Sequence, residues 1–103
     1  MALMRMLLGS CSVVSAWQGS RLVGLGRATS DGVFRAVLWD VVVASEKQGQ
    51  GLGRRIVESL LSYPAVAAAE RVYLMTTNSS GFYEKLGFIS QHGQHLLVLC
   101  RKP

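Results

Sequence analysis

Apolar and polar positions along the 103-residue chain change period several times, and each change marks an element. Leu3, Met6 and Leu7 fall on one side of a helical turn that Gly9 closes, which predicts a helical end over residues 2–8. "SVVSAW", beginning at Ser12, reads as a strand, "QGS" as a tight turn and "RLVGLGRATS" as a second strand, together a hairpin. After the turn signal "SDG", the run "VFRAVLWDVVVA" over 33–44 is rich in β-branched and aromatic residues and almost continuously apolar. That pattern predicts a central strand buried on both faces.

From Leu52 the period lengthens. Leu52, Ile56, Val57, Leu60 and Leu61 recur every three or four positions, predicting an amphipathic helix over 51–62 that ends before Pro64. "AVAAAE" permits a second helical piece, which Pro64 separates from the first. "RVYLMTT" is strand-like, and "SSGFYEKLG" reads as a short helix started by Ser79 or Ser80 and stopped by Gly87. "FIS" and "LLVLC" flank a polar turn as a closing hairpin. Strands interleaved with helices in this order predict one α/β domain without an internal repeat or a linker.

Composition narrows the partners. Lys and Arg outnumber Asp and Glu by 11 to 6, a formal +5 that favours anions such as phosphates, nucleic acid or anionic lipid. The basic residues are scattered, which argues against a nucleic-acid partner and leaves the pair Arg54 and Arg55 as the local concentration of charge. No run reaches the roughly 18 apolar residues of a membrane helix, so no membrane partner is expected. Cys11 and Cys100 are too few and too far apart for a zinc site or a disulfide framework and read as reduced core thiols. His92 and His95 have no ligand-spaced neighbours and read as surface residues, so no metal is expected. The apolar start is broken by Gly9, Ser10 and Ser12, which favours a strand over a secretory signal.

The chemistry concentrates in "SEKQGQGLGRRIVESLL", residues 45–61. Glycines that admit positive φ stand directly before a helix start, where N–H groups lack helical acceptors and the dipole end is positive, and together these make an anion cradle. Arg54 and Arg55 in the first turn oppose the helix dipole, so they fit best where an anion compensates them. The two common nucleotide loops do not match. A Walker A loop needs Lys-Ser or Lys-Thr after its glycines, and a dinucleotide fingerprint needs G-x-G-x-x-G, whereas Gly49, Gly51 and Gly53 give G-x-G-x-G.

The stretch "VVVASEKQGQGLGRRIVESLL" resembles motif A of the GNAT superfamily of N-acetyltransferases, with Gln48, Gly51 and Gly53 in the loop pattern Gln/Arg-x-x-Gly-x-Gly/Ala. "GFYEKLGF", over 81–88, is similar to the family's second signature, in the same order and with a strand between. "GRATSDGVFRAVLWDVVV" resembles the plant plastid branch of that family, its serotonin N-acetyltransferase-like and nuclear-shuttle-interactor-like members. The resemblance implies a mixed, mostly antiparallel α/β sheet of about six strands with two or three helices, splayed between the family's fourth and fifth strands. It implies acetyl-CoA as co-substrate. Val41, Val42 and Val43 would offer backbone hydrogen bonds to the pantetheine, and Gln48, Gly49, Gln50, Gly51, Leu52 and Gly53 would hold the pyrophosphate through their N–H groups, with Arg54 adding charge. Asn78 resembles a cofactor-contacting asparagine, Tyr83 matches the tyrosine that can protonate the departing sulfur, and the Val43 N–H would polarise the thioester carbonyl.

Acetyl transfer also needs a neutral amine. Where several members of the family carry a His or Glu, this chain has Val37. Asp40 is the only carboxylate on the strand, and it is either hydrogen-bonded structurally or deprotonates the amine through water. The expected activity is acetyl transfer to a primary amine, an arylalkylamine or a protein Lys or N-terminal amine. The alternative is a catalytically weak CoA-binding or partner-binding module produced by truncation. The resemblance begins near Val13 and implies a single domain over 1–103 without the family's first strand and most of its first two helices. That would leave "SVVSAW" near an edge where a homodimer could form. A chloroplast location follows from the resemblance, and a cytoplasmic one if the short N-terminus is authentic.

Overall fold

The computed structural model describes residues 2–102. A short helix α1 (Ala2–Leu8) leads into a hairpin of β1 (Ser12–Gln18) and β2 (Arg21–Ser30), turned at Gly19 with φ 61°. β2 then pairs antiparallel with β3 (Arg35–Val43). Asp31 sets that second turn: its Oδ1 accepts the N–H groups of Val33, Phe34 and Arg35 at 2.8, 2.7 and 3.2 Å. The chain crosses over through α2 (Leu52–Ser62) and α3 (Pro64–Ala67) to β4 (Arg71–Leu74), which lies parallel to β3, and α4 (Ser80–Glu84) follows. Pro64 stands in the first turn of α3, where its missing N–H costs nothing, so "AVAAAE" starts a new helix and does not extend α2.

The sheet has the order β1-β2-β3-β4, with α2 on one face. Ile56, Val57 and Leu60 of α2 and Val66 of α3 close over Ala28, Ala36 and Leu38, all of them buried. Close approach depends on two glycines of β2. A Cβ on Gly24 would lie 2.8 Å from Ile56 Cδ1, and one on Gly26 would lie 2.7 Å from Ile56 Cγ2. The sheet surface under the helix is therefore smooth backbone, a role that the hydropathy pattern did not single out.

Between the pairs Leu25–Val42 and Arg27–Trp39, one β2 residue, Gly26, stands opposite two residues of β3, Asp40 and Val41. This is a β-bulge, and Asp40 takes φ 45°, the only positive φ outside glycine among the described residues. The bulge resets which side chains face α2. Before it Ala36 and Leu38 are buried against the helix, and after it Val41 and Val43 pack there while Val42 is 58% exposed. An unbroken strand would have turned Val41 and Val43 outward.

Three expectations are corrected. The sheet has four strands among the described residues: the segments over 88–90 and 96–100 join no ladder, and Leu96, Leu97, Val98 and Leu99 are exposed. A two-stranded ribbon without a sheet to extend or a face to cover is marginal in water. Among the described residues β3 is buried on one face only: Val42 on the other is 58% exposed. Cys100 is exposed with that tail, whereas Cys11 packs against the core and donates its Sγ hydrogen to Ala28 O at 3.3 Å. Among the described residues no helix is long and apolar enough to cross a membrane.

Candidate functional site

β3 outruns β4. The parallel register covers Arg35 to Leu38 against Arg71 to Leu74, and β3 continues to Val43 with no strand on that side among the described residues. One bond fixes the backbone direction along this free edge. The Ala44 N–H donates to Val23 O at 2.9 Å, so Ala44 and, by alternation, Val42 turn toward β2. Val41 and Val43 turn their N–H and C=O groups to the open edge. Of the three valines expected to offer backbone contacts, Val42 is thus committed to Leu25. The Val43 carbonyl is partnered by the Gln48 side chain, whose Nε2 donates to it at 3.1 Å.

The glycine loop follows a single 3-10 turn, Ser45–Lys47. Gly49 and Gly51 have φ 80° and 83°, in the left-handed region where a side chain is strained. Gly51 caps α2 in this conformation and no side chain caps the helix. The N–H groups of Gly49, Gln50, Gly51, Leu52, Gly53 and Arg54 find no backbone acceptor. They form a concave series of donors at the positive end of α2. Gly53 serves proximity: a Cβ there would lie 3.4 Å from Phe82 Cζ and 3.7 Å from Val43 Cγ2.

Edge, loop and α4 enclose a cleft of about 510 Å³ lined by Val41, Val43, Gln48, Gly49, Gly51, Gly53, Arg54, Ser79, Phe82 and Tyr83. The Arg54 guanidinium lies on its rim, 3.3 Å from Glu58 on the next turn of α2. Gln50 and Leu52 line a separate cavity beside β1, and the Gln50 side chain donates its Nε2 hydrogen to Glu46 O at 3.3 Å. Tyr83 is held edge-on between Phe82 and Phe88, with ring centroids at 4.9 and 5.8 Å. Burial raises its phenol above the ordinary tyrosine value, because the phenolate would be poorly solvated there.

Besides Val42, Gln50 and Leu52, two further expected residues, Asn78 and Asp40, fall outside the lining. Asn78 is exposed and accepts a hydrogen bond from Ser79 Oγ at 3.4 Å, and Ser79 stands in the cleft in its place. Asp40 accepts from Arg27 Nε at 2.9 Å and does not line the cleft, which favours the structural of its two readings. Ser79, expected only as a helix start, and Phe82 were not anticipated in the cleft lining. The contact between Phe82 and Gly53 spans 29 residues of sequence, and only the crossover to β4 brings it about.

A free strand edge, a run of unpartnered amides at a helix start and a half-buried phenol suit an elongated ligand with an anionic group near its middle. Residues 3–88 match the acetyltransferase (GNAT) family model. The chain is 42% identical over 72 residues to GCN5-related N-acetyltransferase 2, chloroplastic, of Arabidopsis thaliana, covering 69% of this chain and 28% of that protein. It is 44% identical over 69 residues to serotonin N-acetyltransferase 2, chloroplastic, of Oryza sativa subsp. japonica, covering 66% of this chain and 34% of that one. The chain therefore spans well under half the length of these relatives. A GNAT-family acetyltransferase of Streptococcus pneumoniae superposes with a TM-score of 0.84 at 27% identity, over 98% of this chain and 80% of that one. With the family match running through the edge, the glycine loop and α4 alike, the chain belongs to the GNAT family of acetyltransferases.

Proposed function

We propose that this chain binds acetyl-CoA in the cleft and moves its acetyl group directly to a primary amine. The observation that carries the reading is the row of unpartnered N–H groups from Gly49 to Arg54, meeting the free edge of β3 at one end of the cleft. Acetyl-CoA supplies an activated thioester. The loop amides suit its pyrophosphate, with Arg54 adding charge from the rim, and Val41 and Val43 suit the amides of the pantetheine arm. Gln48 occupies one lone pair of the Val43 carbonyl, which leaves the other for a donor of the arm. The Val43 N–H points along the same edge, where it can polarise a carbonyl. Tyr83 keeps its proton at neutral pH, as a donor to a departing sulfur must.

The acceptor is an arylalkylamine, as the name of the rice relative indicates for that protein, or a protein amine. The two plant relatives are named chloroplastic, which supports a plastid location for this chain. The free outer edge of β1 supports pairing of two copies through that strand. Residues 1–103 are read as a single GNAT-type domain holding the cofactor half of the site. A second reading, a CoA-binding module with weak turnover, draws on the uncovered sheet face at Val13 and Val42, which are both exposed.

Titration calorimetry with acetyl-CoA and a thiol-release assay on serotonin and on Lys peptides separate these readings. Binding with release supports transfer, and binding without release supports the module. Absence of binding removes the cofactor assignment itself.

A further inference from the structure

Asp40 is the one carboxylate on β3, yet its backbone is more unusual than its position, and the surroundings of its side chain explain why. The strand's change of face happens at Asp40, and that change sends Val41 and Val43 into the α2 packing and their backbone groups to the open edge. A non-glycine residue at φ 45° persists only where its neighbours hold it. The holder here is Arg27. Its side chain is only 16% exposed, its Nε donates to Asp40 Oδ2 at 2.9 Å, its Nη1 donates to Ser10 Oγ at 3.3 Å, and its guanidinium carbon lies 5.6 Å from the centre of the Trp39 ring. Trp39 is fixed in turn, donating its Nε1 hydrogen to Thr29 Oγ1 at 2.9 Å. Val13 and Trp39 are the cross-strand neighbours of Arg27 on either side.

We infer that the Arg27–Asp40 pair is a latch on the β3 bulge, which makes both positioning residues for the cofactor edge and not members of the proton-transfer machinery. Arg27 reaches across from the partner strand, and its planar fork is anchored at three points, so it resists the slip that would return β3 to regular alternation. Losing the latch lets Asp40 relax toward ordinary strand angles. The amides of Val41 and Val43 then lose their fixed direction, while Tyr83 and the glycine loop are untouched. The inference rests on the acetyl-CoA reading only for its functional consequence, because the mechanical claim concerns the free protein.

The test uses Arg27→Met, which keeps the stem over Trp39 and removes the donors, together with Asp40→Gly, Asp40→Asn and Asp40→Val, each checked for folding by circular dichroism. Amide hydrogen exchange on the ligand-free chain reads the latch directly. Arg27→Met should speed exchange at Val42, which pairs with Leu25, by about fivefold, the scale of a partly exposed ion pair, and leave Val57 and Leu60 unchanged. Acetyl-CoA affinity should fall by a similar factor. Glycine and asparagine tolerate positive φ, so Asp40→Gly and Asp40→Asn should keep turnover per bound cofactor within about threefold, whereas the β-branched Asp40→Val should lose about tenfold in affinity. Wild-type exchange and affinity in Arg27→Met would overturn the latch. Loss of turnover at full affinity in both Asp40→Gly and Asp40→Asn would also overturn it, by making Asp40 a base. If the unmodified chain fails to bind acetyl-CoA, the cofactor reading falls while the exchange result still decides the latch.

Discussion

The two faces of the sheet are built on different principles. Toward α2, Ala28, Ala36 and Leu38 meet Ile56, Val57 and Leu60 with glycine smoothing the contact, and the result is a continuous buried layer. On the opposite face the cross-strand rows are Ser15, Leu25 and Val42, then Val13, Arg27 and Trp39, then Thr29, Val37 and Tyr73. These rows mix charge, aromatic rings and small apolar groups, and they are held by discrete hydrogen bonds such as Arg27 to Asp40 and Trp39 to Thr29. One face stabilises through area and the other specifies through geometry. The glycine loop and Tyr83 belong with the first, because both hang from elements that pack on the buried layer.

The largest expected effect breaks this contrast directly. Leu60→Ala removes a fully buried side chain and should lower stability by about 2–5 kcal/mol, while Val42→Ala on the open face should stay within about 0.5 kcal/mol. Denaturant midpoints of the two variants measure it, and similar losses would mean that the second face is covered in solution. Next in size is Tyr83→Phe, which keeps the ring between Phe82 and Phe88 and removes only the hydroxyl. Thiol release should slow by about a hundredfold with acetyl-CoA affinity unchanged. An unaltered rate would reduce Tyr83 to packing. Because burial raises the phenol, the rate in the unmodified protein should hold up to the ordinary tyrosine value of about 10 and decline only above it.

The buried face was the legible one. Period alone located α2 from Leu52, Ile56, Val57 and Leu60, and turn chemistry located the hairpins, since both signals are local. The loop was legible for a similar reason: Gly49, Gly51 and Gly53 act through their backbones, and a missing side chain is visible in the sequence. The open face was not. The run over 33–44 looked uniformly apolar, and nothing in it announced that a bulge at Asp40 would shift the alternation and leave Val42 outside. Ser79 and Phe82 escaped notice because their place in the cleft depends on the crossover to β4. The closing hairpin failed because "LLVLC" has strand composition without a partner, and composition does not supply one.

The loop predicts a smaller effect than the phenol. Gly51→Val places a β-branched residue at φ 83°, where space is open but the backbone is strained by about 1–2 kcal/mol. The helix should persist, since α2 is anchored by its buried stripe, and the cost should appear as acetyl-CoA binding at least tenfold weaker. Circular dichroism and calorimetry on the same sample give both readings. Unchanged affinity would remove the loop from the cofactor site while leaving the buried face as described.

The smallest effect belongs to neither face and sharpens the comparison by acting as its control. Asp31 stands at the β2–β3 turn, and its carboxylate is held below its ordinary value chiefly by the Val33 N–H, then by those of Phe34 and Arg35. The sign follows from linkage: a carboxyl whose folded value is lowered stabilises the fold above its unfolded value and loses that contribution as pH falls through the folded one. Asp31→Asn keeps an acceptor oxygen and removes the charge, so the unmodified protein should melt slightly higher near neutral pH and the gap should shrink as pH falls below the ordinary aspartate value of about 3.9. Acetyl-CoA affinity should be the same in both, because the turn lies outside the cleft lining. A gap that persists in acid would show that carboxylate geometry, and not its charge, organises the turn. A change in affinity would show that the turn reports to β3 along the strand, which would join the two faces that the other variants separate.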